Sequence, residues 1–363
     1  MTDTLPSPER RRCLGFLASL PLLGRVRGVL AAAAQPAPPP LEQVRFPDGA
    51  TILVAGPDGG AMDRWARAVQ PALAQSLAPG TVVQKTDVGG ADGVTGANQF
   101  DALVSPDGRT VLLAPGEAVL AWLVGDVRAK FDVARWVPVM ACMTPAVVVG
   151  RPAAFASRGV VRVAAAHAAG PDLPALLAIE LLGERAQLVP GIADEDSLQA
   201  AFARDAVDAV LLRGHRVPDQ VAALQRAGVE PVFSLGDVDD AGMPIRCAAF
   251  PEVPDFVELH TALRHARPTG PLFAAWRSAA AATQLEFGVV LSQVTPADMV
   301  ALWRRAGTEA AGALDVQSLA MSLGVHPLGG PAATACAVAI SADAPALTGL
   351  RTWLASRFNW RPA

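Results

Sequence analysis

Short apolar runs alternating with helically spaced apolar residues set the plan of this chain. Ile52-Leu53-Val54-Ala55 reads as a buried strand, and Met62, Trp65, Ala66, Val69 and Leu73 follow at helical spacing. Val82-Val83 opens a second strand, Val94, Ala97, Phe100, Leu103 and Val104 form the apolar face of the next helix, and Thr110 to Ala114 is a third strand. This alternation predicts a parallel sheet. Pro71 interrupts the first helical pattern and predicts a kink there, or a split after Val69. Val137 to Val149 reads as an apolar strand interrupted at Pro145, where the chain crosses to a second domain.

In that domain Val160 to Ala165 and Val207 to Leu212 read as strands. Asp172 stands where it can cap a helix, Pro174 lies in its first turn, and Gly183 marks its end. Asp196 or Ser197 caps the following helix. Pro254 to Val294 then returns the chain to the first domain, and Asp298 to Ala311 reads as an amphipathic helix with Ala301, Leu302 and Ala306 on one face and Arg304-Arg305 outside it.

Length and composition narrow the class. The chain has 363 residues, 52% apolar and 18% charged, with a net charge of −4. That suffices for two folded cores and excludes both a disordered chain and a basic nucleic-acid binder. Lysine occurs only at Lys85 and Lys130, and tyrosine is absent. Near the start, Arg10-Arg11-Arg12 precedes an apolar run of eleven residues, Leu14 to Gly24, and Ala31 to Ala34 supply a small-residue cleavage site. The run is short of the roughly 20 residues that span a membrane, so residues 1–34 read as a cleaved export signal of the general or twin-arginine type, leaving the mature chain periplasmic. Residues 35–43, with Pro36, Pro38, Pro39 and Pro40, read as a linker. Cleavage leaves Cys142, Cys247 and Cys336, read as buried apolar residues without a structural disulfide.

Two glycine-rich turns carry the candidate chemistry: Gly56-Pro57-Asp58-Gly59-Gly60-Ala61-Met62-Asp63 and Gly89-Gly90-Ala91-Asp92-Gly93-Val94-Thr95-Gly96. Each joins a strand to a helix whose first N–H groups and positive dipole end favour an anion. A third such loop, His167 to Asp172, opens a helix in the second domain. A catalytic reading finds little support. The chain has no G-x-S-x-G elbow, no H-E-x-x-H and no phosphate loop, and the G-x-x-G-x-x-G spacing of Gly90, Gly93 and Gly96 is wrong for a dinucleotide. His260 and His265 are badly spaced for a shared metal. Neither an enzyme, a cofactor nor a metal is expected.

The turns also resemble, in order and spacing, the Bug-type substrate-binding receptors of tripartite tricarboxylate transporters. Those receptors read P-G-G-G-[ST]-D, N-R-P-G-A-G-G-N-I-G and A-P-D-G-Y-T, where this chain has Pro57 to Asp63, Asp87 to Gly96 and Ser105 to Thr110. Phe131-Asp132 through Trp136-Val137-Pro138-Val139, and Phe250 to Phe256, add to the match. The resemblance implies an α/β, two-domain periplasmic-binding-protein clamshell with a parallel-type sheet in each domain. It places domain 1 at 44–147 with a return segment near 250–320, domain 2 at 148–249, and a C-terminal segment from 321 packing back on domain 2. It implies a monomer that holds a small carboxylate or amino-acid-like ligand and presents it to membrane permease subunits, with no nucleic acid as partner. A sensor or interaction protein, or a degenerate receptor, on the same fold are the alternatives.

The candidate ligand contacts are Asp58, Gly59, Gly60, Ala61, Gly90, Ala91, Asp92, Gly93 and Gly116 in the first domain, and His167, Ala168, Gly170, Asp172 and Asp208 in the second, the resemblance implying the glycine loops and Asp208. Asp58 and Asp92 replace glycines of the family pattern. Either they face the cleft and turn selectivity away from di- and tricarboxylates, or they cap the helices that follow. In the second domain, Ala164 to Leu173 lacks the hydroxyl and aromatic groups of the family loop.

Overall fold

A computed structural model describes residues 46, 49–77, 80–157, 159–192, 194–225 and 228–361. The proposed export signal and proline-rich linker lie outside the described residues. The described residues form one compact unit with two large sheets and one two-stranded sheet. The chain enters through β1 (Ala50–Ala55), α1 (Ala61–Ser76), β2 (Val83–Val88), α2 (Val94–Leu103), β3 (Thr110–Ala114) and α3 (Gly116–Val124), then runs along β4 (Trp136–Met143). It crosses at Thr144-Pro145 into β5 (Ala146–Gly150), β6 (Val160–Ala164), α4 (Leu173–Leu181), β7 (Arg185–Val189), α5 (Glu195–Ala203), β8 (Ala209–Arg213), α6 (Val217–Gln225) and β9 (Glu230–Ser234). A small hairpin, β10 (Asp237–Val238) and β11 (Pro244–Ile245), leads to α7 (Phe256–Arg264), α8 (Pro271–Gln284) and β12 (Leu285–Ser292). The chain ends with α9 (Ala297–Ala311), α10 (Leu314–Leu323), β13 (His326–Gly329), α11 (Gly330–Ile340) and α12 (Ala344–Phe358).

The first sheet has the order β13-β4-β12-β3-β1-β2, and the second β7-β6-β8-β5-β9. In each, the parallel strands expected from the strand–helix alternation are present: β2, β1 and β3 in one, β7, β6 and β8 in the other. Antiparallel strands extend both, β12, β4 and β13 in the first and β5 and β9 in the second. The carboxyl ends of parallel strands are where open α/β sheets present their loops to a ligand. The fold is therefore the two-domain periplasmic-binding-protein type expected, with mixed sheets.

Helix α8 ties the two sheets together. Its small residues Ala275, Ala279, Ala280, Ala281 and Ala282 are buried, letting α3, α4, α11 and α12 pack closely around it. Trp276 is fully buried, stacks on Phe273, tilts against Phe256, and donates its indole N–H to Pro174 O of α4 at 3.0 Å. Each aromatic so buried removes roughly 150–250 Å² from water, on the order of 4–6 kcal/mol of transfer free energy before entropy. Asp255, in the Phe250 to Phe256 motif, forms a capping box with Glu258 at the start of α7.

Several sequence expectations need correction. Helix α1 runs unbroken through Pro71, which lies on its exposed side, so the carbonyl of Arg67 that loses a helical donor can bond to water. In α9 the buried residues are Met299, Trp303, Ala306, Gly307, Ala310 and Ala311, whereas Ala301 is exposed, so the inward face is rotated from the one anticipated. Leu103 is 77% exposed rather than part of the α2 core face. Asp194, not Asp196 or Ser197, caps α5, in a reciprocal box with Ser197. The segment after 321 gives β13 to the first sheet and packs α11 and α12 on α8. It also meets the second lobe, through the ion pair of Arg357 with Glu180 of α4 and through Gly324 packed on His215. Cys142, Cys247 and Cys336 are free and buried, and burial pushes the Cys336 thiol up to about 12. Among the described residues no single helix is long and apolar enough to cross a membrane.

Candidate functional site

At the carboxyl ends of β1, β2 and β3 the chain turns abruptly into α1, α2 and α3, and close packing holds the three turns together. Gly56 N donates to Val88 O at 3.0 Å, joining the first turn to the end of β2. Gly93 caps α2 at φ 71°, and a Cβ there would lie 2.5 Å from Pro115 Cδ, so the second turn rests directly on the third. Opposite these turns stands Arg213, the last residue of β8. It donates to Thr283 O at 2.7 Å and to Glu117 of α3 at 3.1 Å, so one guanidinium joins the second sheet, α3 and the end of α8.

The space between them is a cavity of about 230 Å³ lined by Pro57, Ala61, Met62, Ala91, Pro115, Glu117, Arg213, Leu285 and Glu286. Among the described residues no acceptor meets the backbone N–H groups of Ala61, Met62, Ala91, Gly116 and Glu117. Helix starts with unpaired N–H groups and a guanidinium across the gap form a setting for a small carboxylate.

A buried ionic cluster holds the first turn. Asp63 is 1% exposed and accepts from Gly59 N at 3.0 Å, from Arg67 at 2.9 Å and from Lys85 Nζ at 2.5 Å. Lys85 also reaches Asp87 at 2.5 Å and Asp58 at 3.8 Å, so its ammonium occupies the centre of the Asp58, Asp63 and Asp87 carboxylates, where a metal ion would otherwise fit. The Lys85 hydrogen bond, aided by Arg67 and Gly59 and opposed by burial, lowers the Asp63 carboxyl from 3.8 to about 2. Because the folded value is the depressed one, this stabilisation is complete above pH 3.8 and disappears as pH falls toward about 2. Melting followed by circular dichroism should therefore show a fall in Tm across that window that is shallower in Asp63→Asn. A variant with an unchanged slope would show that the cluster does not contribute.

The anticipated site residues divide into distinct groups. Ala61 and Ala91 line the cavity. Gly90 is exposed at the tip of the second turn, and a Cβ there would meet only Asp92 Oδ1, at 3.7 Å. Gly59 and Gly60 frame the first turn, but their N–H groups serve Asp63 and Pro57 O, not a solute. Gly93 packs against Pro115. Gly116 is a packing residue: a Cβ there would overlap Ala282 O and approach Leu285 O to 2.6 Å.

Asp58 and Asp92 line no part of the cavity. Asp58 is 77% exposed and pairs with Arg67 at 3.2 Å. Asp92 accepts from Val94 N at 3.3 Å, at the start of α2, and pairs with Arg128 at 2.8 Å. Of the two alternatives, facing the cleft gives way: both carboxylates are held in arginine ion pairs off the cavity, and Asp92 alone also makes a helix-end contact.

In the second lobe His167 is exposed and lies over Gly170, while Ala168 and Gly170 are buried beneath the loop. Asp172 occupies the N-cap position of α4 without a capping bond. Its carboxylate accepts from Ala166 N at 3.3 Å instead, and burial pushes it up against the opposing influence of Ala166, Arg213 and His167. Asp208 is misplaced as a ligand contact. It precedes β8, at the opposite end from Arg213, and is bound by the Arg162 side chain at 2.7 and 2.8 Å, with Arg151 at 3.7 Å.

Arg213, Glu117 and Glu286 were not anticipated. Arg213 is a charge closing the apolar run Val210-Leu211-Leu212, a signal the sequence carried, whereas Glu286 had no comparable signal. Glu286 reaches the cavity where the β12–β4 register slips between Leu285 and Phe287, a bulge that changes the direction of a strand side chain. A second cavity, of about 100 Å³, lies between α11 and the first sheet, lined by Val119, Val133, Trp136, Leu285, Ala333 and Cys336 among others, with no charged residue.

No family model matches the chain, and no curated protein matches it. Among solved structures it is similar to a TctC solute-binding protein from Polaromonas, solved without ligand, at 16% identity over 85% of this chain and 99% of that one, with a TM-score of 0.61. Others are malate-bound MatC from Rhodopseudomonas palustris, at 21% identity over 84% and 98% with a TM-score of 0.45, and the periplasmic binding protein BugD, at 14% over 85% and 97% with a TM-score of 0.45. The chain has the fold of the Polaromonas protein.

Proposed function

We propose that this protein is an extracytoplasmic solute-binding receptor of the tripartite tricarboxylate transporter type, which captures a small carboxylate-bearing solute and delivers it to membrane permease subunits. The observation that carries this reading is the cavity where the helix starts at Ala61 and Gly116 face Arg213 of the other lobe. Its volume of about 230 Å³ falls below the roughly 300 Å³ at which pockets for drug-sized ligands begin, which suits a small metabolite. The glycine motifs and the fold support the same reading. Capture and release need no catalytic group, cofactor or metal. Export rests on the N-terminal sequence pattern, and N-terminal sequencing of protein isolated from cells is expected to start near Gln35, whereas an intact Met1 would contradict it.

Gly90→Val tests the site. The free space around Gly90 makes the substitution mild for folding, while the added side chain stands at the tip of the turn beside Ala91. Solute affinity measured by calorimetry should fall at least tenfold, with Tm within a few degrees of wild type. Normal binding by Gly90→Val would remove the second turn from the site.

A further inference from the structure

The cavity is not the purely cationic cradle that a di- or tricarboxylate would favour. Its charged lining is Arg213 against Glu117 and Glu286, a net charge of −1 with all three ionised. Arg213 is already engaged by Glu117 and Thr283 O. Glu286 accepts a hydrogen bond from the indole N–H of buried Trp65 at 3.2 Å, a neutral donor that leaves its negative charge uncompensated. No lysine or second arginine lines the cavity. The bulge at Leu285–Phe287 brings this carboxylate to the cavity out of an otherwise apolar strand.

From this arrangement we infer that the solute carries a primary or secondary ammonium group as well as a carboxylate, the ammonium donating to Glu286 and the carboxylate facing Arg213 and the helix starts. The inference rests on the solute-binding reading above and narrows its ligand class. A purely anionic solute would leave Glu286 as an unneutralised like charge in a partly dry site, whereas an ammonium satisfies it. A quaternary amine lacks the N–H that a carboxylate accepts, so primary and secondary amines are favoured over betaines.

The test uses the full chain and acids paired to differ only in the amine: L-glutamate and glutarate, L-aspartate and succinate, γ-aminobutyrate and butyrate, and L-alanine and propionate, beside the remaining protein amino acids, malate and citrate. Thermal shift screens the set, and calorimetry measures the hits on wild type and on Glu286→Gln, which retains an acceptor for Trp65. At least one amine-bearing probe should bind ten times more tightly than its amine-free partner, and Glu286→Gln should reduce that preference below threefold. Amine-free acids binding as well as or better than their partners would overturn the inference while leaving the solute-binding reading intact. So would an amine preference unchanged in Glu286→Gln. A set in which no acid of either kind binds would overturn both.

Discussion

Arg213→Ala should weaken solute binding about a hundredfold while barely changing stability. Arg213 is the cation that the second sheet presents to the helix starts of the first, and its fork suits a carboxylate better than any neutral donor in the cavity. Truncating one member of a desolvated, hydrogen-bonded charge pair at a binding site costs about 2–5 kcal/mol, and about 1.4 kcal/mol is tenfold in affinity. The stability cost is far smaller. The Arg213 and Glu117 side chains are 36% and 37% exposed, and pairs of that kind contribute about 0–1 kcal/mol. Arg213→Lys retains the charge but loses the fork, so it should fall between wild type and alanine. Calorimetry with the solute that binds wild type most tightly, paired with thermal melting, separates the two effects. Loss of Tm in proportion to loss of affinity would make Arg213 structural.

Gly116→Val should have the opposite profile and collapse the fold. The atoms that a Cβ would meet are the carbonyl oxygens of Ala282 and Leu285, backbone at the junction of α8 and β12, and no flexible side chain can yield. Overpacking in a close-packed interior costs on the order of 1–3 kcal/mol, and more where rigid backbone must move. That junction also carries Thr283, which holds Arg213, and Glu286, so distortion there would disturb the cavity too. Urea denaturation should show a large drop in midpoint, or the variant should be recovered insoluble. A soluble Gly116→Val with wild-type midpoint would show that α3 does not pack on the junction as described.

What the sequence disclosed and what it concealed follow from the range of the interactions involved. The turns after β1 and β2 were legible because their determinants are local: glycines beside an apolar run, then helical spacing from Met62 to Leu73. The inward face of α9 was misread because alanines at 301, 306 and 310 weaken the contrast between faces, while Trp303 and Met299 in fact define it. Asp208 was misassigned because the arginines that bind it, Arg162 and Arg151, are distant in sequence and meet it only through strand pairing. The packing role of Gly116 was hidden because it depends on α8, which returns from far along the chain. Glu286 depends on a bulge, and a register slip has no sequence period to reveal it.

The site itself is tested most directly by a crystal structure of the protein grown with the tightest-binding solute from the calorimetric screen. Solute is expected in the cavity between Ala61, Pro115 and Arg213, with its carboxylate within hydrogen-bond distance of Arg213 or of the N–H groups of Ala61, Gly116 and Glu117. Solute in the apolar cavity beneath α11, or elsewhere with the Arg213 cavity empty, would contradict the assignment.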